Sequence, residues 1–493
     1  MAALGADHDH QHQRTKPKMH VAILPNPGMG HIIPLLELAK RLVVFNHDIH
    51  ISFLVINIDE DNSAVRDQYL NSTGSLPPGL DVIDLPPVNV SDIVRDDMLG
   101  LTRISVMVEE SLKSLKSVLI ELGKPEAVVI DLFCTGAFEI CSELSIPVYS
   151  FFCPSTACLT FSLYLPTLDR EVEGEFVDLP EPISIPGCSP IRPVDLLDPV
   201  EDRKNDQYKW FYLHMSRLPL AAGILVNSWE DFEPVALKAI REHSFFLQLP
   251  TPPVYPVGPL IKQDEPMGSS DEECLTWLDN QPADSVLFIA LGSLGTLTTG
   301  QLLEMAWGLE MSQQKFIWVL RKPGDANASS TFFNVGIDVN DPKSYLPEGF
   351  LEKTRGVGLV VNSWVTQVAI LRHPSTGGFL SHCGWNSTLE SITHSVPIIA
   401  WPLYAEQKMN AAMLTEEIGV AVKPVKGPGE TVVKREEISR VVKLLMESEE
   451  GEIIRGRVKK LRDSARRAVD IGGSSYNSLS CLVEKWKNES SKP

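Results

Sequence analysis

The sequence predicts an α/β protein of two domains, each a parallel sheet covered by helices, on three observations. Short apolar runs bounded by turn residues alternate with segments of helical periodicity, the pattern of repeated βαβ units. The runs are apolar throughout rather than at every second residue, as strands buried on both faces require. They fall into two series, parted by a stretch rich in polar, Gly and Ser residues.

The first series supplies strands at 20–25, 50–56, 81–85, 127–131, 147–151 and 223–227. The second supplies strands at 286–291, 316–320, 357–361, 378–381, 397–401 and 419–422. Each series makes a Rossmann-like domain. The chain therefore divides into a polar tail at 1–18, expected to be disordered, a first domain at 19–258, a linker at 259–271, a second domain at 272–470 and a closing segment at 471–493 with helical spacing over 474–487. A length of 493 residues suits two such cores, and a ligand is expected in the cleft between them. Stretches 154–206, 250–259 and 325–347 read as irregular, because each carries several Pro, Gly, Ser or Asp residues.

Composition excludes several function classes. The 64 acidic residues outnumber the 44 basic ones to give a formal charge of −20, which repels nucleic acid and anionic lipid alike. No apolar run reaches the ~18 residues that a membrane-spanning helix needs. Residues 1–18 lack the apolar region of a secretory signal, and the alternating His8, His10 and His12 read as part of a solvated tail. The eight cysteines form no CxxC pair and lie mostly in apolar stretches, which points to a reducing, cytoplasmic setting.

The most informative stretch runs from Trp364 to Gln407. Within it, 377–381 is a short strand, 382–386 a turn with a central glycine, and 387–393 the start of a helix. A strand, a glycine turn and a helix N-terminus make an anion site, because free backbone N–H groups and the positive end of the helix dipole face the turn. A diphosphate fits there without a metal. Asn386 and Ser387 stand where they could simply cap the helix, yet His382, Trp385, Asn386, Ser387 and Glu390 crowd one turn in a way that structural loops rarely need. The loop 292–296 after strand 286–291 offers Ser293 and its backbone as further phosphate contacts. Asp59-Glu-Asp61 superficially fits a metal-holding Asp-x-Asp, but reads as a solvated turn in the half of the chain away from the anion site.

His31 and Asp131 are the candidate catalytic residues. His31 follows the first strand and the turn 26–30, at the start of a helix over 32–44, where the dipole disfavours the imidazolium and keeps the ring able to accept a proton. A lone His more often caps or packs a helix, but this one stands at the carboxyl end of the first strand, where α/β sheets open their crevice. Asp131 closes strand 127–131 on the same carboxyl edge. It can orient an imidazole or cap the next turn.

The 44-residue stretch 364–407 resembles the signature box of plant secondary-product UDP-glycosyltransferases, the family-1 inverting enzymes. The likeness extends to Pro27-Gly-Met-Gly-His31, Gly258-Pro259, Trp277-Leu-Asp279 and Gly292-Ser-Leu-Gly-Thr296. It implies two Rossmann-like domains in the GT-B arrangement, with the closing helix crossing back to the first. It implies further that Trp364 stacks on uracil, Gln367 lies beside the base or ribose, Glu390 accepts from the ribose hydroxyls, and His382, Asn386 and Ser387 hold the diphosphate. Trp385 would contact the sugar through its backbone, Glu406 and Gln407 would bind sugar hydroxyls, and Gly30, Ser293, Val365 and Tyr404 would complete the donor set.

His31 becomes the base that deprotonates the acceptor and Asp131 its partner. UDP-glucose is the expected co-substrate, with no cofactor and no metal. The expected acceptor is a small phenolic or flavonoid-like molecule in the first domain near Phe133, Phe152 and Thr156, chosen from aromatic and apolar density along 93–101, 151–156 and 210–213. Whether oxygen or a ring carbon is glycosylated stays open. The chain departs from the family pattern at Val365-Thr366, at Ser395 where a glycine usually precedes Val-Pro, and at Glu406, which replaces a commoner Asp; the last is similar to the hydroquinone and monolignol subgroup. A dinucleotide oxidoreductase would want Gly-x-Gly-x-x-Gly after the first strand, which 26–31 does not supply. A nucleotide-sugar sensor would not need His31. The sequon at Asn386 would block the anion site if glycosylated, which again favours the cytoplasm, and a monomer that works by domain closure is expected.

Overall fold

The computed structural model describes residues 19–58, 76–95, 97–262, 267–324, 341–362 and 364–490. The tail at 1–18 and Asp59-Glu-Asp61 lie outside them.

The first sheet has seven strands: β1 Met19–Leu24, β2 Ile49–Val55, β3 Leu80–Asp84, β4 Ala127–Asp131, β5 Val148–Phe152, β6 Gly223–Val226 and β7 Val254–Pro256, in the order β3-β2-β1-β4-β5-β6-β7. The second has six: β8 Val286–Ala290, β9 Lys315–Val319, β10 Gly358–Val361, β11 Thr376–Ser381, β12 Ile398–Ala400 and β13 Ala421–Val422, in the order β10-β9-β8-β11-β12-β13. All pairings are parallel. Helices cover both faces, so the central strands are largely buried, β4 and β5 from end to end, which is why they read as unbroken apolar runs. These are two Rossmann-like domains, the GT-B architecture.

The strand order reverses between β1 and β4 in the first sheet and between β8 and β11 in the second. Segments leaving adjacent strands in opposite senses splay apart there and open a crevice at the carboxyl edge. Every candidate polar group of the site leaves from one of these edges or from the loops beside them.

Two segments expected to be irregular are so only in part. Residues 154–206 contain the 16-residue helix Thr156–Glu171, which carries Pro166 inside it and is capped by Ser155 accepting from the Cys158 N–H. Residues 250–259 contain β7, an edge strand whose flanking prolines hide it. The helix expected over 32–44 runs from Met29 to Phe45, which brings His31 inside its first turn. Ser395 has φ +65, the left-handed backbone that suits the glycine it replaces.

The closing helix, Ser474–Ser490, lies on the first domain. Trp486 meets Tyr149 of β5 edge-on at 5.5 Å, Tyr476 packs on Phe45 at 5.0 Å, and the Ser475 hydroxyl donates to the Gly258 carbonyl at 2.5 Å. No helix among the described residues is long and apolar enough to cross a membrane.

Candidate active site

Because β1 and β4 are neighbours, the residues that leave their carboxyl ends meet. His31 Nδ1 lies 2.7 Å from Asp131 Oδ2. Asp131 is fully buried, and its other oxygen accepts from Asn26 Nδ2 at 2.7 Å and from the Phe133 N–H at 3.0 Å. Three donors thus fix the carboxylate. The His31 side chain keeps 21% of its surface open, so Nε2 is the nitrogen left to accept a proton. Cys153 Sγ stands 3.1 Å from Nδ1.

The helix dipole does not govern the His31 proton, contrary to the expectation from its position. Burial pulls the imidazole pKa down, but the charge of Asp131, its hydrogen bond and the charge of Glu406 outweigh that, and the net direction is up from 6.5. The magnitudes explain the ordering: a helix terminus is worth ~0.3–1 kcal/mol, under one pKa unit, whereas a carboxylate in contact moves a pKa by ~1–3 units. The ring is thereby a stronger base. His31, Asp131 and Cys153 are also the one trio among the described residues whose ligand atoms all lie within 4.8 Å. Asp131 already accepts three hydrogen bonds, and burial holds the Cys153 thiol well above its ordinary range, so the trio is a hydrogen-bonded cluster around the imidazole.

Across the cleft, the helix following β11 is Trp385–Thr393, with Gly384 as its N-cap and no side-chain cap. Asn386 and Ser387 are therefore inside the helix rather than capping it. The Ser387 hydroxyl accepts from Gln367 Nε2 at 3.0 Å, and the same nitrogen donates to Glu390 at 2.6 Å. Asn386 Nδ2 reaches the first domain and donates to the Gly30 carbonyl at 2.8 Å, which places the N-terminus of this helix against the turn that carries His31.

His382 is buried between two glycines: a Cβ on Gly292 or Gly384 would lie 2.7 or 2.6 Å from its ring, so neither position admits a side chain. Burial lowers its pKa to about 4, and its Nδ1 is buried without a hydrogen-bond partner, a cost that binding sites commonly carry. The 292–293 loop is held by Arg321, whose guanidinium donates to the Ser293 carbonyl. Burial raises Glu390 to about 7, although Gln367 and the charge of Lys262 act against it.

The box ends at the cleft. Gln407 is buried, and its amide oxygen accepts from the Leu403 and Tyr404 N–H groups at 2.9 and 3.0 Å, so the side chain has only its NH2 to offer elsewhere. Glu406 is half-buried, and its carboxylate accepts from Asn410 Nδ2 at 3.2 Å; burial raises its pKa, while the charge of His31 opposes the rise. Tyr404 lies 6.3 Å from the His382 ring. Trp364 is 65% exposed, with its indole open for stacking.

Several expected site residues are placed otherwise. The Val365 side chain packs into the second-domain core at 5% exposure, fixed by Thr366, whose N–H and hydroxyl bond Asp271 at 2.5 and 3.0 Å; only the Val365 backbone can face a ligand. The Trp385 indole is an interdomain brace: Nε1 donates to the Asn227 carbonyl at 2.8 Å and the ring stacks on Phe232 at 5.4 Å. Phe152 is wholly buried in β5, and Thr156 is wholly buried with its N–H and hydroxyl both bonded to Glu233 at 2.9 Å. Neither lines an acceptor pocket; both were chosen on apolar density, which core packing also produces. Phe133 remains, half-buried, with its ring 5.5 Å from His31 and 5.5 Å from His214.

The family model described as "UDP-glucoronosyl and UDP-glucosyl transferase" matches residues 227–428. The chain is 47% identical over 473 residues to hydroquinone glucosyltransferase from Rauvolfia serpentina, covering 95% of this chain and 98% of that one. It is 46% identical over 472 residues to anthocyanidin 3-O-glucosyltransferase 5 from Manihot esculenta, covering 95% and 96%. Among solved structures, Phytolacca americana UGT2 complexed with UDP-2fluoro-glucose and pterostilbene superposes with a TM-score of 0.84 at 40% identity, over 95% of this chain and all of that one. The chain belongs to the UDP-glycosyltransferase family and is an enzyme of that kind.

Proposed function

We propose that the enzyme transfers glucose from UDP-glucose, with inversion and without a metal, to the hydroxyl of a small phenolic or flavonoid-like acceptor. The observation that carries this reading is the 2.7 Å contact between His31 Nδ1 and Asp131 Oδ2 at the first-domain switch point. As the acceptor oxygen attacks the anomeric carbon, His31 Nε2 takes its proton, the new C–O bond forms, and the bond from that carbon to the β-phosphate oxygen breaks. Asp131 stabilises the imidazolium so formed. UDP leaves from the N-terminus of helix Trp385–Thr393, where backbone N–H groups and the dipole favour negative charge. That site supplies the positive potential for which other transferases use a cation.

In this reading Trp364 stacks on uracil, Glu390 with Gln367 holds the ribose, His382, Asn386, Ser387 and Ser293 surround the diphosphate, and Glu406 with Gln407 takes the sugar. Phe133 floors the acceptor side. The names of the relatives, a hydroquinone and an anthocyanidin glucosyltransferase, support the acceptor class. The enzyme acts as a cytoplasmic monomer with no cofactor beyond its co-substrate.

The test is His31→Ala, assayed by mass spectrometry with UDP-glucose, UDP-galactose and UDP-glucuronate against phenols and flavonoids. Wild type should give a glucoside of the parent phenol, and the variant should lose transfer by at least about a thousandfold while binding UDP as before. Transfer by the variant within tenfold of wild type would remove His31 from the mechanism.

A further inference from the structure

Ala405, immediately before the proposed sugar-binding pair Glu406 and Gln407, has φ +56, the left-handed backbone that a residue with a Cβ adopts only under constraint. The constraint comes from the other domain. The Asp198 N–H donates to the Ala405 carbonyl at 3.0 Å, and the Ala405 N–H donates to Asp198 Oδ2 at 2.9 Å. These two bonds close a ring between residues 207 positions apart, one in the loop between β5 and β6, the other between β12 and helix Gln407–Ala412. The other Asp198 oxygen lies 3.4 Å from Lys408 Nζ, which also pairs with Glu201. Asp198 therefore grips both sides of Glu406 and Gln407: the residue before them and the residue after them.

Further pairs hold the same loop down along its length. Lys423 bonds Asp195 at 3.1 Å, and Arg192 bonds Asp195 and Glu416, each at 2.6 Å. The loop is thus docked on the second domain through Asp195 and Arg192 independently of Asp198, which leaves Asp198 to act on the Ala405 conformation.

We propose that Asp198 is a positioning residue for donor-sugar selection: the acceptor domain, through Asp198, holds Ala405 left-handed and so aims Glu406 and Gln407 at the sugar. This rests on the reading that Glu406 and Gln407 bind the sugar. The clamp explains how a segment of the first domain sets selectivity for a donor held by the second. Removal of the Asp198 carboxylate frees Ala405 to leave the left-handed region, and the two side chains after it swing with the backbone.

The experiment measures kcat and KM for UDP-glucose and UDP-galactose, which differ at one sugar hydroxyl, together with the Kd of UDP, which lacks the sugar. Asp198→Ala should lower kcat/KM for UDP-glucose about tenfold and reduce the preference for glucose over galactose at least about fivefold, with the Kd of UDP within twofold of wild type. Asp198→Asn keeps an oxygen for the Ala405 N–H and should restore most of both. Adding Ala405→Gly to Asp198→Ala should restore part of the selectivity, because glycine takes φ +56 without strain; a loss caused by misfolding or by weakened domain docking would not respond to it. Gln407→Ala serves as the reference. If Gln407→Ala shifts sugar preference and Asp198→Ala does not, the clamp is refuted while the sugar site stands. If Gln407→Ala leaves sugar preference unchanged, the sugar-site reading fails and the clamp with it. A parallel loss of UDP affinity in Asp198→Ala would also overturn the proposal.

Discussion

Substitution of Asp131 by asparagine removes one charge, but the structure makes it a change of tautomer as well. Asp131 Oδ1 accepts from two donors, Asn26 Nδ2 and the Phe133 N–H, so the amide oxygen of an asparagine must take that place. Its NH2 then faces His31 Nδ1, 2.7 Å away in the parent, and donates to it. Nδ1 becomes the acceptor, the ring proton moves to Nε2, and the nitrogen left to act as base points away from the acceptor. Loss of the carboxylate charge lowers the His31 pKa by ~1–3 units, or ~1.4–4 kcal/mol of imidazolium stabilisation. The wrong tautomer adds to this, as it does in the Ser-His-Asp hydrolases. We expect kcat to fall about thousandfold, with the Kd of UDP and the melting temperature nearly unchanged, since volume and two of the three hydrogen bonds are kept. Steady-state kinetics across pH read the same effect a second way. His31 must be neutral to act, so wild-type kcat/KM should rise with pH through a pKa above 6.5, the direction set by Asp131 and Glu406; in the asparagine variant that limb should move to lower pH. A variant within tenfold of wild type, or an acid limb that does not move, would refute the reasoning.

Two further outcomes follow from the donor side. Trp364→Ala should weaken UDP binding about 5- to 150-fold, the ~1–3 kcal/mol of a base stacked on an aromatic ring, yet change unfolding free energy by under ~0.5 kcal/mol because the indole is already exposed; calorimetric titration beside urea unfolding separates the two. Glu390 is raised to about 7 by burial, and a carboxylate accepting two ribose hydroxyls binds in its ionised form, so UDP affinity should climb with pH up to about 7 and level above it, whereas Glu390→Gln should bind more weakly with no such slope.

Much of the fold was legible because buried parallel strands leave an unmistakable trace: twelve of the thirteen strands among the described residues are the apolar runs named from the sequence, with ends displaced by at most two residues. β7 escaped because three residues between prolines carry too little pattern. Helix Thr156–Glu171 escaped because Pro166 and the proline-rich segment after it look like loop. His31 and Asp131 each follow a strand on the carboxyl edge of one sheet, which made them candidates, but either could have capped a turn, and it was the likeness to the family that paired them.

The residues that hold the pair had no such signal. Asn26 and Cys153 reach the dyad across 105 and 122 positions, and Asp198 reaches Ala405 across 207; no periodicity reports contacts at those separations. Phe152 and Thr156 show the converse error, in which apolar density near the site was core, and the Trp385 indole shows that a signature residue can serve the domain interface with its side chain.

In the proposed mechanism His31 receives the acceptor proton while the leaving diphosphate rests on the helix that starts at Trp385. A structure of the enzyme with UDP and a phenol bound together measures this directly. The phenol oxygen should lie ~2.6–3.2 Å from His31 Nε2, with the β-phosphate against the backbone N–H groups at 385–387. A phenol oxygen bonded instead to Glu406 or Cys153, with His31 Nε2 out of reach, would contradict the account.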